Sequence, residues 1–253
     1  MVRDTFKKNR IGLNPHFNYR GEEQTRIEAF TDAVFAFAVT LLVLSSSVPE
    51  TFDDLKDSFG DIIPFGLAIA ILVSIWFDHY IFSIRYGFRD GYITMLNTIL
   101  LFLVLIYVYP LKFLMSVLAR LFYALLFRKR EVYDQLFTEV IEPQDTYLLM
   151  IFYGLGVALI FGILAFMYRY ALKKKEELGL NDIEIFETRT SLYTNLCLMA
   201  VPLLSSLVAL SGIGSTTFNF ILSGNIYMIY PILMPLYGYY RNKKKRKLFP
   251  NLL

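Results

Sequence analysis

Residues 190–240 contain no aspartate, glutamate, lysine or arginine. A water-soluble domain needs charged or strongly polar side chains on its outer face at regular intervals, and this stretch offers no charge at all. The rest of the chain follows the same habit. Charges gather into short clusters, and apolar runs lie between them. Of the 253 residues, 56% are hydrophobic and 19% charged, with a mean hydropathy of +0.48. A soluble core of this length cannot hide so much apolar surface. A bilayer can, provided that backbone polar groups are satisfied within each segment, which favours helices.

A helix needs ~20 apolar residues to cross the hydrocarbon core. Six runs qualify: 26–44 with the small Ser45–Ser47 extension, then 62–84, 92–127, 146–170, 191–210 and 218–240. The expected fold is all-α, an integral membrane protein with six transmembrane helices. Residues 1–25 form a polar N-terminal tail, 26–240 the membrane domain and 241–253 a basic tail. No short apolar segment precedes the first run, and that run is too long for a signal peptide, so it reads as an uncleaved helix. The third run is ~50 Å of helix against a core of ~30 Å. Pro110 is expected to kink it. The part from Lys112 onward either projects from the membrane or lies on its surface.

An even number of spans puts both termini on one side. That side holds about 19 of the 25 Lys and Arg, which makes it cytoplasmic by the positive-inside rule. Arg128, Lys129 and Arg130 fall on the other side, in the longest loop and set back from helix ends, where charge weighs less. The runs Lys173–Lys175 and Lys243–Lys247 suit topology and lipid headgroup contact rather than nucleic acid. The outer loop 49–61 carries Glu50, Asp53, Asp54 and Asp57. It reads first as a solvated loop and second as a rim that concentrates cations. Cys197 is the single cysteine, which excludes an intrachain disulfide and any cysteine-rich metal site. There is no HExxH, no nucleophile–base pair with an oxyanion turn and no glycine-rich phosphate loop, so an enzyme is not expected. Gly154, Gly156 and Gly162 on the fourth run read as small-residue packing sites.

The first run, RIEAFTDAVFAFAVTLLVL, is the most informative. Thr25-Arg26-Ile27-Glu28 fits a capping box, so the helix is expected to start near Arg26. At about 100° per residue, Ala33, Phe37, Thr40, Leu44 and Ser47 share one stripe. Taken alone, the stripe suits either ordinary helix packing or, against copies of itself, stacked rings around an axis. Asp32 lies about one and a half turns inside the helix. It reads either as an interfacial carboxylate favoured by the helix dipole or as part of a buried polar knot, because Thr31 and Asp32 point away from the stripe.

Arg26, Phe30, Thr31 and Asp32 match the RxxxFSD signature of the transmembrane protein 175 family of potassium channels, with Thr in place of the usual Ser. Trp76 and His79 resemble the family's second-helix Trp and His, and Asn97 a polar residue of its third helix. The resemblance covers roughly residues 20–240. It implies a homotetramer in the cell membrane, multi-pass, with the pore lined by the first helix of each subunit at Ala33, Phe37, Thr40, Leu44 and Ser47. Phe37 would form the apolar constriction, and a permeant potassium ion would pass near Thr40. The motif residues Arg26, Phe30, Thr31, Asp32, Trp76, His79 and Asn97 would have a structural role. The implied function is passive, potassium-preferring cation conduction. Its partners would be further copies of the chain, membrane lipid and monovalent cations, with no cofactor, no fixed metal and no nucleic acid. The rival from another class is a secondary transporter of an ion or small solute. Its mark would be a midplane charge pair, or inverted repeats with broken helices. Pro231 and Pro235 in the last run are the one feature in that direction.

Overall fold

The computed structural model describes residues 16–21, 23–44, 50–52, 62–141 and 145–250. Among these the chain is helical, with no strand. The helices are α1 (Arg26–Leu44), α2 (Ile62–Tyr86), α3 (Gly91–Leu126), α4 (Arg130–Gln135), α5 (Thr146–Lys173), α6 (Asp182–Ser211), α7 (Thr216–Asn225) and α8 (Tyr230–Leu248). A π-helical turn, Leu136–Val140, follows α4, and a 3-10 segment, Ile226–Ile229, joins α7 to α8. Five segments among the described residues are long and apolar enough to cross a membrane: α2, Gly91–Val108 within α3, α5, α6 and Phe218–Leu248. α1 is not one of them; its described residues include Arg26, Glu28 and Asp32.

The chain forms two compact units. Among the described residues, the α1 unit comprises those of Gln24–His79 and Asn97–Thr146, and the α6 unit those of Met1–Glu23, Tyr80–Leu96 and Tyr147–Leu253. In the α1 unit the buried apolar residues include Phe35, Ala38 and Leu42 of α1, Leu72 and Ile75 of α2, and Leu100 and Val104 of α3. α3 runs on past one bilayer thickness as a single helix, with Pro110 inside it. The ring at Pro110 removes one helical hydrogen bond, and the helix continues to Leu126.

In the α6 unit, α6 begins earlier than hydropathy alone suggests. Asn181 caps it and Glu184 completes a capping box. Asp182, Glu184, Glu187 and Arg189 therefore belong to its first turns and not to the preceding loop. It ends at Gly212, whose φ of 61° is the left-handed conformation that a glycine adopts without strain. α5 packs closely on α6 at Gly154: a Cβ added there would sit 2.8 Å from the Pro202 carbonyl oxygen. Near the last span the break falls at Ile226–Ile229, just before Pro231 near the start of α8. A proline at that position has no N–H for the preceding turn and its ring crowds that turn's carbonyls. The turn tightens to 3-10 and α8 starts afresh. α8 then continues through the basic sequence to Leu248.

Candidate functional site

The site is built on the first three turns of α1. Thr25 and Glu28 form the capping box: Glu28 N donates to Thr25 Oγ1 at 3.2 Å, and Thr25 N donates to Glu28 Oε2 at 2.7 Å. That reciprocal cap fixes where the helix begins, and with it which side chains share a face. Thr31 is fully buried, and Phe35, Ala38 and Leu42 are buried along the same line. Phe30, Ala33, Phe37 and Thr40 are exposed on the opposite line, Phe30 at 63% and Phe37 at 54%. Half a helical turn separates the two lines, as a spacing of about 100° per residue requires.

Polar links leave α1 from Asp32 and from Thr31 within this unit. Trp76 Nε1 of α2 donates to Asp32 Oδ1 at 2.8 Å, and Gln24 Nε2 donates to Asp32 Oδ2 at 2.9 Å. Each carboxylate oxygen thus has a neutral donor. Asn97 Nδ2 of α3 donates to Thr31 Oγ1 at 2.6 Å, and Thr31 passes its own hydroxyl proton to the Ile27 carbonyl at 2.9 Å. His79 is buried, its ring 6.4 Å from that of Phe35. The structure therefore gathers Thr31, Asp32, Trp76, His79 and Asn97 into one unit. Arg26 and Phe30 stay exposed and outside these links. Beside Asp32 and Trp76 lies a groove of about 300 Å³ with apolar walls from Phe35, Ala36, Val39, Leu72 and Val73.

On the exposed line, Thr40 Oγ1 donates to the Ala36 carbonyl at 3.1 Å. Its proton is held by its own helix, so its lone pairs are what it presents outward. Ser47 lies outside the described residues, as do the side chain of Leu44 and the acidic residues Asp53, Asp54 and Asp57.

Sequence reasoning missed Gln24, which completes the shell of Asp32 from just ahead of the cap. It also missed a second polar centre, in the α6 unit. Glu184 is fully buried and accepts from Asn18 N at 2.7 Å, from Arg20 Nη1 at 3.1 Å and Nη2 at 2.9 Å, and from Asn181 N at 2.9 Å. Glu187 accepts from Arg241 Nη2 at 2.6 Å and Lys245 Nζ at 2.7 Å. The spacing Asn181-x-x-Glu184 was a readable capping-box signal. Nothing near Arg20 or Arg241 points to their partners.

A chain whose described residues are all helical or loop, with five segments among them fit to cross a bilayer and a polar cluster tied to the front of α1, is a multi-pass membrane protein. Comparisons narrow the class. Residues 26–110 match the model of the family described as endosomal/lysosomal potassium channel TMEM175. A protein of Marivirga tractuosa named "Potassium channel" is 47% identical over 238 residues, covering 94% of this chain and 96% of its own length. A crystal structure of a variant of the potassium channel MtTMEM175, in complex with a nanobody–MBP fusion protein, aligns with a TM-score of 0.81 at 46% identity, over 92% of this chain and 100% of that one. The chain belongs to the TMEM175 potassium channel family, a family of channels and not of enzymes.

Proposed function

We propose that the chain conducts cations passively, with a preference for potassium, through a homotetrameric pore lined by α1. The observation that carries this reading is the division of α1 into two lines. The Thr31–Phe35–Ala38–Leu42 line is buried within the subunit, and the Ala33–Phe37–Thr40 line is not. A line of large apolar and hydroxyl side chains left uncovered by its own subunit suits rings around a symmetry axis. Phe37 then forms the apolar constriction, which closes by dewetting when it narrows. Thr40, its proton turned to Ala36, offers oxygen lone pairs that replace part of the hydration shell of a passing ion. Asp32 and Thr31 do not touch the ion; they hold α1 against α2 and α3. On this reading α1 is the sixth crossing, the chain sits in the cell membrane among lipid, and both termini face the cytoplasm, where the basic clusters lie.

The test is potassium-gradient flux in liposomes containing the purified chain, with reversal potentials under paired potassium and sodium gradients. Flux that does not saturate and a reversal potential displaced toward that of potassium are expected. Saturable, carrier-like flux would instead favour a transporter, for which the break at Ile226–Ile229 is the structural candidate.

A further inference from the structure

α8 has two unlike sides. Arg241 and Lys245, four residues apart, point to Glu187 of α6 and are held there. The opposite side of the helix is uncovered. At about 100° per residue, Ile232, Leu236, Tyr239, Lys243 and Arg246 lie within one sector centred away from Arg241, flanked by Tyr240 and Lys247. All are exposed, as is Lys244 beside them. Along the helix this side changes character in a fixed order: aliphatic at 232 and 236, aromatic at 239 and 240, cationic from 243 to 247. At 1.5 Å per residue the tyrosines precede the first lysine by ~5 Å and the last by ~10 Å.

Lys243, Lys244, Arg246 and Lys247 make no ion pair among the described residues, and α8 contains no acidic residue. Neighbouring cations at helical spacing repel one another, so this cluster is complementary to a surface that brings dense negative charge. The aliphatic and aromatic residues leading into it identify which surface. Tyrosine marks the interface between hydrocarbon and headgroups, and cations one to two turns further along then meet the phosphates. A polyanion in solution would match the cations but not the apolar approach on the same side.

We propose that this side of α8 is a binding surface for anionic phospholipid headgroups, with Lys243, Arg246 and Lys247 as the phosphate-binding cations, Lys244 at their flank toward Arg241, and Tyr239 and Tyr240 setting the depth. The proposal rests on the membrane placement of the last span but not on conduction.

The test reconstitutes the full chain into vesicles of equal parts palmitoyl-oleoyl phosphatidylglycerol and phosphatidylcholine, extracts it gently and measures the ratio of the two lipids retained. The expected result is enrichment of phosphatidylglycerol on the order of several-fold, weakened by salt. The combined variant Lys243→Gln, Lys244→Gln, Arg246→Gln, Lys247→Gln should bring the ratio close to that of the vesicle. Arginine at the three lysine positions should preserve the enrichment. The pair Arg241→Gln and Lys245→Gln should preserve it too while lowering thermal stability. If the combined variant aggregates, Lys243→Gln with Lys247→Gln replaces it under the same criterion. No enrichment in the wild type, or enrichment unchanged in the glutamine variant, overturns the proposal. Potassium flux in pure phosphatidylcholine vesicles tests the channel reading separately.

Discussion

The two units satisfy carboxylates in opposite ways: Asp32 is half-buried, Glu184 and Glu187 fully enclosed. In the α1 unit, Asp32 is served by an indole N–H and a side-chain amide, both neutral. In the α6 unit, Glu184 is served by a guanidinium and two backbone N–H groups, and Glu187 by two cations at once. Bringing a cation beside a carboxylate strengthens the contact but adds a second charge to desolvate. Neutral donors avoid that second cost and make a weaker, directional link. α1 is thus registered against α2 by geometry, while the base of α6 is clamped to the N-terminal segment and to α8 by charge. For the pore-lining role proposed for α1 the former is an advantage, because such fixing brings no cation near the ion path.

The largest effect is expected at Glu184. Glu184→Ala removes the carboxylate from Arg20, which keeps the carbonyls of Asn18, Leu178 and Gly179, and frees Asn18 N and Asn181 N, at a cost of about 3 kcal/mol. Thermal unfolding in detergent should show the loss, and Arg20→Ala should show much of it as well. Asp32→Ala comes second, at on the order of 1–3 kcal/mol, for the part-buried Trp76 indole N–H left without its acceptor; the exposed Gln24 amide can turn to water. Asp32→Asn should lie between wild type and Asp32→Ala, since an amide accepts at one position only. If Asp32→Ala proves more damaging than Glu184→Ala, the contrast between charge clamp and neutral link is wrong. If Asp32→Ala keeps normal yield and stability but shifts ion preference, Asp32 faces the ion path.

Thr31→Val sharpens the same contrast. Valine has nearly the same shape, so packing is retained, but Asn97 Nδ2 loses its acceptor at 2.6 Å. A loss of about 1 kcal/mol is expected, smaller than for either carboxylate. Its measurement is the same unfolding curve, with flux unchanged. An equal loss in the double variant Thr31→Val, Asn97→Ala and in the single one would show that the two residues act as a pair.

What the residues themselves disclosed followed distance along the chain. The start of α1 was legible because a capping box lies within four residues, and the two lines of α1 because neighbours on a helix face are three and four apart. Hydropathy located the apolar middle of each long helix but not its ends. The charged first turns of α6 hid nine residues of helix that only the Asn181 cap reveals. The tightening at Ile226–Ile229 was foreshadowed by Pro231, although it falls one turn ahead of the proline. Links such as Asp32 to Trp76, Thr31 to Asn97 and Arg20 to Glu184 join residues 44, 66 and 164 positions apart. No local pattern encodes such a partner. The first two could be suspected only through resemblance to a family, and the third, lying outside its motif, could not.

The smallest effect on stability, and the largest on conduction, is expected on the exposed line of α1. Phe37 and Thr40 contribute little to the core of their own subunit, so alanine at either should leave unfolding of the subunit within about 0.5 kcal/mol of wild type. Their effects on ions should differ from each other. Phe37 has no oxygen to offer, so on the proposed reading it acts by bulk and wetting, and Phe37→Ala should widen the constriction and raise single-channel current or leak. Thr40 offers lone pairs because its proton is held by Ala36. Thr40→Ala should lower the preference for potassium over sodium while conduction persists, and Thr40→Ser, which keeps the hydroxyl, should retain much of it. Reversal potentials and single-channel currents of the three variants decide the matter. Should neither quantity move in any of them, α1 does not line the path. Its exposed line is then a packing surface, and the neutral link at Asp32 holds an ordinary helix rather than a pore.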